Sequence, residues 1–216
     1  MIIADIGTTY SKILNTSQAG AVPHIMPSKD LGQKFHADIT TGHRGKKVGT
    51  RYINELTALA RGGQTLIHQP DFLLLDCGSR DIKYISYRDN TLADMGWNAE
   101  CGASMGFSIE LLLKYYGLSA TKLPLPAGHF SVTCGVLGMS SIFDAVISGC
   151  SEAEAVASYI KGIAINAFRF AGSPDHLYLS GGMCDLPLFV ASLPCNVTPL
   201  GRFVLLHGLS SIAEPL

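Results

Sequence analysis

Two short segments with nearly the same layout constrain this chain more than any other feature. Ala4-Asp5-Ile6-Gly7-Thr8-Thr9-Tyr10-Ser11-Lys12 follows the apolar Met1-Ile2-Ile3, and Leu75-Asp76-Cys77-Gly78-Ser79-Arg80-Asp81-Ile82-Lys83 follows Phe72-Leu73-Leu74. In each, a β-type run ends on Asp, a Gly turn comes next, and a second apolar run begins near a Lys. The pattern is that of a β-hairpin with free backbone N–H groups at its tip. Such concave backbone nests bind anions, phosphates above all. A lone Asp-x-Gly turn is usually only a turn, but two copies with Asp, Gly and Lys at matching offsets point to a duplicated phosphate site. Two facing hairpins could grip the phosphates of one nucleotide, with Asp5 and Asp76 each holding Mg²⁺ through water. No G-x-x-x-x-G-K-[ST] occurs, and no G-x-G-x-x-G follows a strand, so neither a P-loop nor a Rossmann site is present.

With 216 residues the chain can build two small lobes with ample core. Hydrophobic residues make up 47% and charged ones only 15%, which is apolar for a monomer and implies a sizeable buried partner surface. A net charge of −1 without any Lys/Arg block gives no support to nucleic-acid or membrane-surface binding. No apolar run approaches the ~18 residues of a membrane span. Asp5 in the first strand and the lack of a basic leader argue against a signal peptide. The six cysteines are scattered without a C-x-x-C pair, so neither a disulfide scaffold nor zinc spacing is expected, and a cytoplasmic, reducing location is.

Along the chain, strands are expected over 1–6, 11–14, 21–25 and around 38–40, with a polar stretch over 27–36 and a basic Gly-rich loop over 41–47. A helix over 52–61 is expected to stop at Gly62-Gly63. A three-stranded meander over 72–77, 82–87 and 91–95 then gives way to helices over 102–116, 135–148 and 152–170, the last capped by Ser151. A strand over 176–179 runs into Ser180-Gly181-Gly182, and a final element covers 203–212. Meanders followed by helices, twice over, predict a duplicated α/β lobe. The first lobe covers 1–70, with 203–216 returning to it, and the second covers 71–202. Cleft positions between lobes are favoured ligand sites.

Cys101 and Cys134 differ from the other cysteines in standing at the first turn of predicted helices. The partial positive charge and free N–H groups of a helix N-terminus stabilise a thiolate or an anionic cluster. Both could equally be small buried hydrophobes, the usual fate of a free Cys. Two thiolates do not fill a metal site; a symmetric dimer would supply four.

The residues resemble a known family, the ATP-dependent activators of 2-hydroxyacyl-CoA dehydratases, related to the ATPase subunits of benzoyl-CoA reductase. These belong to the acetate-and-sugar-kinase, actin and heat-shock-chaperone ATPase superfamily. Asp5-Ile6-Gly7-Thr8-Thr9 with Ser11-Lys12 looks like the first phosphate motif, and Asn54-Glu55-Leu56-Thr57-Ala58-Leu59-Ala60-Arg61-Gly62 resembles T-E-I-T-x-H-A-x-G. Asp76-Cys77-Gly78-Ser79-Arg80-Asp81-Ile82-Lys83 resembles D-I-G-G-Q-D-x-K, and Asn98-Ala99-Glu100-Cys101-Gly102-Ala103-Ser104-Met105-Gly106 resembles N-x-x-C-A-A-G-T-G. Cys134 matches the second cluster cysteine and Ser180-Gly181-Gly182 the adenosine-side glycines.

The resemblance implies duplicated ribonuclease-H-like lobes, the first abbreviated, with ATP or ADP and Mg²⁺ bound between them. Gly7, Thr8, Thr9, Lys12, Gly78, Ser79 and Arg80 would cradle phosphates, Asp5 and Asp76 would orient Mg²⁺ or the attacking water, and Gly181 and Gly182 would admit the adenosine. It further implies a homodimer sharing one [4Fe–4S] cluster through Cys101 and Cys134 of both chains. A dehydratase or reductase component would receive the electron, and a ferredoxin or flavodoxin would donate it. The chain departs from the pattern at Arg80, Ser104, Met105, Met139, Ser141 and Met183-Cys184-Asp185. A small-molecule kinase of the same superfamily, using Asp81 or Glu55, and a nucleotide-binding scaffold without turnover are the alternative readings.

Overall fold

A computed structural model describes residues 1–17, 20–98, 106–132 and 135–213. The chain divides into two compact units, one of Met1–Phe72, Ile85–Met95 and Arg202–Leu216, the other of Leu73–Tyr84 and Gly96–Gly201.

The first sheet comprises β1 (Ile2–Ile6), β2 (Tyr10–Asn15), β3 (His24–Pro27), β4 (Ala37–Thr41) and β5 (Gly49–Tyr52), in the order β3-β2-β1-β4-β5. β1 and β2 form an antiparallel hairpin in which Asp5 lies opposite Lys12, and β4 runs parallel to β1 with Thr41 beside Asp5. One turn of helix, α1 (Gly45–Val48), precedes β5, so the basic loop expected over 41–47 is partly helical. Alternation fits the pleat: Ala4 and Ile6 join Leu31 and Ala37 in a small core, with Ile13 and Met26 packed against it.

The second sheet repeats this topology. It comprises β6 (Phe72–Cys77), β7 (Ile82–Arg88), β8 (Thr91–Asn98), β9 (His176–Ser180) and β10 (Asn196–Gly201), ordered β8-β7-β6-β9-β10. β9 runs parallel to β6, with Ser180 beside Asp76. Around it are α3 (Gly106–Tyr115), α4 (Gly135–Ile147), α5 (Glu152–Phe170) and α6 (Pro187–Ser192). α5 begins where the Ser151 side chain accepts a hydrogen bond from the Glu154 amide, an N-cap. Its Val156, Tyr159, Ile160, Ile163 and Ala167 recur at helical spacing and fill the core with Leu177, Leu179 and Phe189.

In the first unit α2 (Glu55–Leu66) packs against α7 (Val204–Ala213). The Asn54 side chain caps α2 by accepting from the Leu56 amide. α2 does not stop at Gly62-Gly63 as expected but runs on to Leu66. A Cβ on Gly62 would run into the Val204 carbonyl, and one on Gly208 into the Ala58 carbonyl, so both glycines permit a backbone-to-backbone crossing. Tertiary packing here outweighs the roughly 1 kcal/mol helix penalty of each glycine.

Gly208→Ala is therefore expected to lower stability by about 1–3 kcal/mol through overpacking. Gly128→Ala, where a Cβ would meet nothing within 4 Å, should leave it unchanged. Thermal denaturation of the two variants checks this.

Candidate functional site

In the first unit the turn Gly7–Thr9 joins β1 to β2. Asp5, the next-to-last residue of β1, is 4% exposed, with Lys12 Nζ 2.6 Å from its Oδ2 across the hairpin. Beneath the turn, the Ser28 hydroxyl donates to the Gly7 carbonyl at 2.8 Å and lies 2.9 Å from the Ser11 hydroxyl. Arg44 adds a bond from Nη1 to the Ser28 carbonyl at 2.9 Å. These contacts brace the turn from below, while Thr8 at its tip is exposed and Gly7 and Thr9 are half-buried.

The end of β4 closes over the same place. Gly42 has φ +88°, and a Cβ on it would collide with the Ile6 carbonyl and lie 2.8 Å from Asp5 Oδ1. The Arg44 amide donates to that Ile6 carbonyl at 3.2 Å. Thr41, in register with Asp5, is fully buried, and its Oγ1 has no hydrogen-bond partner. An unsatisfied buried hydroxyl costs about 1–3 kcal/mol, so it calls for an explanation. His43 Nδ1 lies 3.5 Å from Oε1 of the buried Glu55.

The second unit repeats the arrangement with different side chains. Asp76 is 6% exposed, and the Ser180 hydroxyl donates to its Oδ1 at 2.7 Å. Gly181, φ +93°, lies against the Cys77 carbonyl, and a Cβ on it would sit 3.1 Å from Asp76 Oδ1. The pairs Thr41-Gly42 and Ser180-Gly181 thus play one structural part: a hydroxyl beside the Asp, then a left-handed glycine against the next carbonyl. Thr41 and Gly42 were not among the expected site residues. Their legible signal is a hydroxyl–glycine pair ending a strand, shared with Ser180-Gly181.

The turn over 78–81 is held by the Gly78 amide donating to the Asp81 carbonyl at 3.1 Å. Gly78 and Ser79 are half-buried and Arg80 is exposed. The Gly106 and Phe107 amides, at the start of α3, donate to the Gly78 and Ser79 carbonyls at 3.3 and 3.0 Å. A Cβ on Gly182 would meet nothing within 4 Å, so its backbone face is open to a ligand. Lys83 does not mirror Lys12. It is 1% exposed and pairs with Asp81 Oδ1 at 2.8 Å, while Trp97 Nε1 donates to Asp81 Oδ2 at 2.7 Å. Both oxygens of Asp81 are thereby engaged, which leaves it poorly disposed to act as the catalytic Asp of a kinase.

Cys101 and Cys134 lie outside the described residues. Among the other cysteines, burial pushes the Cys77 thiol well above its ordinary value, the Asp76 charge adding to the effect. Burial likewise takes the Cys184 thiol up to about 11 and raises that of Cys195.

Neither a family model nor a curated protein matches the chain by sequence. Solved structures do. Component A of the (R)-2-hydroxyglutaryl-CoA dehydratase of Acidaminococcus fermentans superposes with a TM-score of 0.77 at 16% identity, covering 99% of both chains. The activator of the 2-hydroxyisocaproyl-CoA dehydratase from Clostridium difficile, solved with bound ADPNP, gives 0.73 at 16%, covering 100% of this chain and 98% of that one. The ethanolamine utilization protein EutJ from Carboxydothermus hydrogenoformans gives 0.58 at 13%, over 97% and 88%. In fold the chain is similar to these structures, with two mixed five-stranded sheets and their helices, and it superposes best of the three on the two dehydratase activators. Among the described residues no helix is long and apolar enough to cross a membrane.

Lys83→Met leaves a buried carboxylate without its cation. It is expected to cost about 3–5 kcal/mol, part of which returns in the double variant with Asp81→Asn. Urea unfolding followed by the emission of Trp97, the one tryptophan of the chain, measures both.

Proposed function

We propose that this protein is an ATP-dependent activator that passes a low-potential electron to a 2-hydroxyacyl-CoA dehydratase or a benzoyl-CoA reductase-like enzyme. The observation that carries the reading is the doubled loop. Each unit presents a buried Asp at a strand end, a glycine turn beside it, and a left-handed glycine closing the neighbouring parallel strand. Ligands of open α/β sheets bind beyond such carboxyl ends. The ADPNP-bound relative supports a nucleotide here.

In this reading Asp5 and Asp76 orient Mg²⁺ or the attacking water. Gly7, Thr8, Thr9, Lys12, Gly78, Ser79 and Arg80 surround the phosphates, and the open backbone at Gly182, next to Gly181, receives the adenosine. The residues present fit such a ligand: Thr41 carries a buried hydroxyl without a hydrogen-bond partner, and the space where a Gly182 Cβ would stand is open.

Cys101 and Cys134 of two chains would hold one [4Fe–4S] cluster, which supplies the electron; a ferredoxin or flavodoxin would reduce it. The helices that follow these cysteines support a twofold seam. α3 leaves Phe107, Leu111 and Tyr115 exposed at successive i, i+4 positions, and α4 leaves Phe143 and Ile147 exposed in the same way. Large apolar side chains repeated along one helix face mark a partner surface. The bonds from Gly106 and Phe107 to the Gly78 and Ser79 carbonyls give the phosphate loop a direct hold on the start of α3.

Protein purified without oxygen is expected to be brown, dimeric, and to hold about four iron per dimer. Cys101→Ala or Cys134→Ala should abolish iron binding, whereas Cys150→Ala or Cys195→Ala should not. Leu111→Glu should give monomers by sedimentation. Iron content indifferent to Cys101 would overturn the cluster assignment.

A further inference from the structure

We propose, resting on the nucleotide reading above, that the Thr41 hydroxyl is a positioning residue: it hydrogen-bonds the water through which Asp5 holds the nucleotide's Mg²⁺. The argument comes from the internal repeat. Asp5 and Thr41 are register partners on parallel strands, as are Asp76 and Ser180. Register partners in a sheet point to the same face. In both units the carboxylate and the hydroxyl therefore belong side by side, with the glycine that follows packed against Oδ1.

The two copies differ in what the hydroxyl does. Ser180 donates to Asp76 Oδ1, so that pair is closed on itself. Thr41 makes no hydrogen bond although it is fully buried, and Asp5 is braced instead through Oδ2 by Lys12. Lys12 faces Asp5 from the other side of the hairpin, opposite β4. The row Lys12–Asp5–Thr41 thus has its cation on one flank and an unspent hydroxyl on the other. A hydroxyl can accept from a metal-bound water without adding a second negative charge beside Asp5. A purely structural threonine buried here would be expected to bond as Ser180 does.

The test uses the whole chain with Thr41→Val, which keeps the shape and removes the hydroxyl, and Thr41→Ser, which keeps the hydroxyl. Thr41→Val is expected to leave the melting temperature of nucleotide-free protein unchanged or raise it by about 2–4 °C, because it removes an unsatisfied group. It should weaken ATP binding measured calorimetrically with Mg²⁺ by about tenfold, leave ATP binding in EDTA unchanged, and be rescued by Thr41→Ser. Thr41→Ala serves as the second variant if the valine protein does not fold. Mg²⁺-dependent binding as tight as in the parent protein would overturn the proposal, as would a melting temperature lowered by several degrees. A parent protein that binds no ATP with or without Mg²⁺ would instead remove the nucleotide reading itself, and the role of Thr41 with it.

Discussion

Each unit depends on one close approach, in which the end of a parallel strand passes so near the Asp-bearing strand that only a glycine backbone fits. At Gly42 and Gly181 a side chain would meet both a left-handed backbone and the carbonyl that follows the Asp. The first costs about 1–2 kcal/mol for an ordinary residue. The second cannot be relieved without moving β1 or β6. Because the strands close here, Asp5 and Asp76 are buried against backbone at the sheet's carboxyl edge, and the adjoining turns are left as the surface that meets a ligand. Burial of this kind is costly for a carboxylate unless it is partnered. The remainder of each loop supplies the partners, a lysine for Asp5 and a serine for Asp76.

The copies have the same topology and different chemistry. Lys12 and Lys83 stand at the same offset from their aspartates, and sequence alone reads them as equivalent. They are not, because the position held by Tyr10 in the first loop is held by Asp81 in the second. Asp81 captures Lys83 in a buried pair that Trp97 completes from β8, with the ammonium 5.1 Å from the indole centroid. The second lysine is consequently committed to holding its own loop. Lys12 remains on the carboxylate that faces the proposed metal.

Legibility in the sequence followed how local the deciding forces are. α5 spans the residues its pattern indicates, since the Ser151 cap and a continuous apolar stripe both act within a few turns. β6 likewise runs from Phe72 to Cys77, as a buried apolar run ending in Asp-Cys-Gly suggests. By contrast, β5 lies between the basic loop expected over 41–47 and the helix expected over 52–61, half exposed and entered through a single helical turn. β10 carries Pro199 and pairs with β9 at the border of its sheet, where a missing N–H is tolerated. The Asp-Gly loops were legible because their geometry is written in consecutive residues. Thr41 and Gly42 were not, since their part depends on a neighbouring strand more than thirty residues from Asp5.

The proposed coupling between hydrolysis and electron delivery has a physical requirement, and the second unit meets it. Loss of a γ-phosphate changes what the backbone of a phosphate turn can bond to, so the turn must relax. A relaxing turn does work elsewhere only if something rigid is attached to it. Here the carbonyls of Gly78 and Ser79, within that turn, accept the first described amides of α3. A Cβ on Gly106 would lie 3.3 Å from the Gly78 carbonyl oxygen and 3.4 Å from the Ser79 Cα, so the start of the helix packs directly on the backbone of the turn. In the proposed cycle a shift of the turn would be passed through these bonds to α3, whose exposed Phe107, Leu111 and Tyr115 stripe is the proposed twofold seam. In the proposed dimer two such helices meet, each beginning five residues after Cys101 in the sequence. Movement driven from either nucleotide would alter the surroundings of the shared cluster, and for a one-electron step about 59 mV of potential corresponds to about 1.4 kcal/mol. That is the scale of one or two hydrogen bonds in a phosphate loop, so in the proposed cycle a relaxing turn would release enough energy to bias electron transfer.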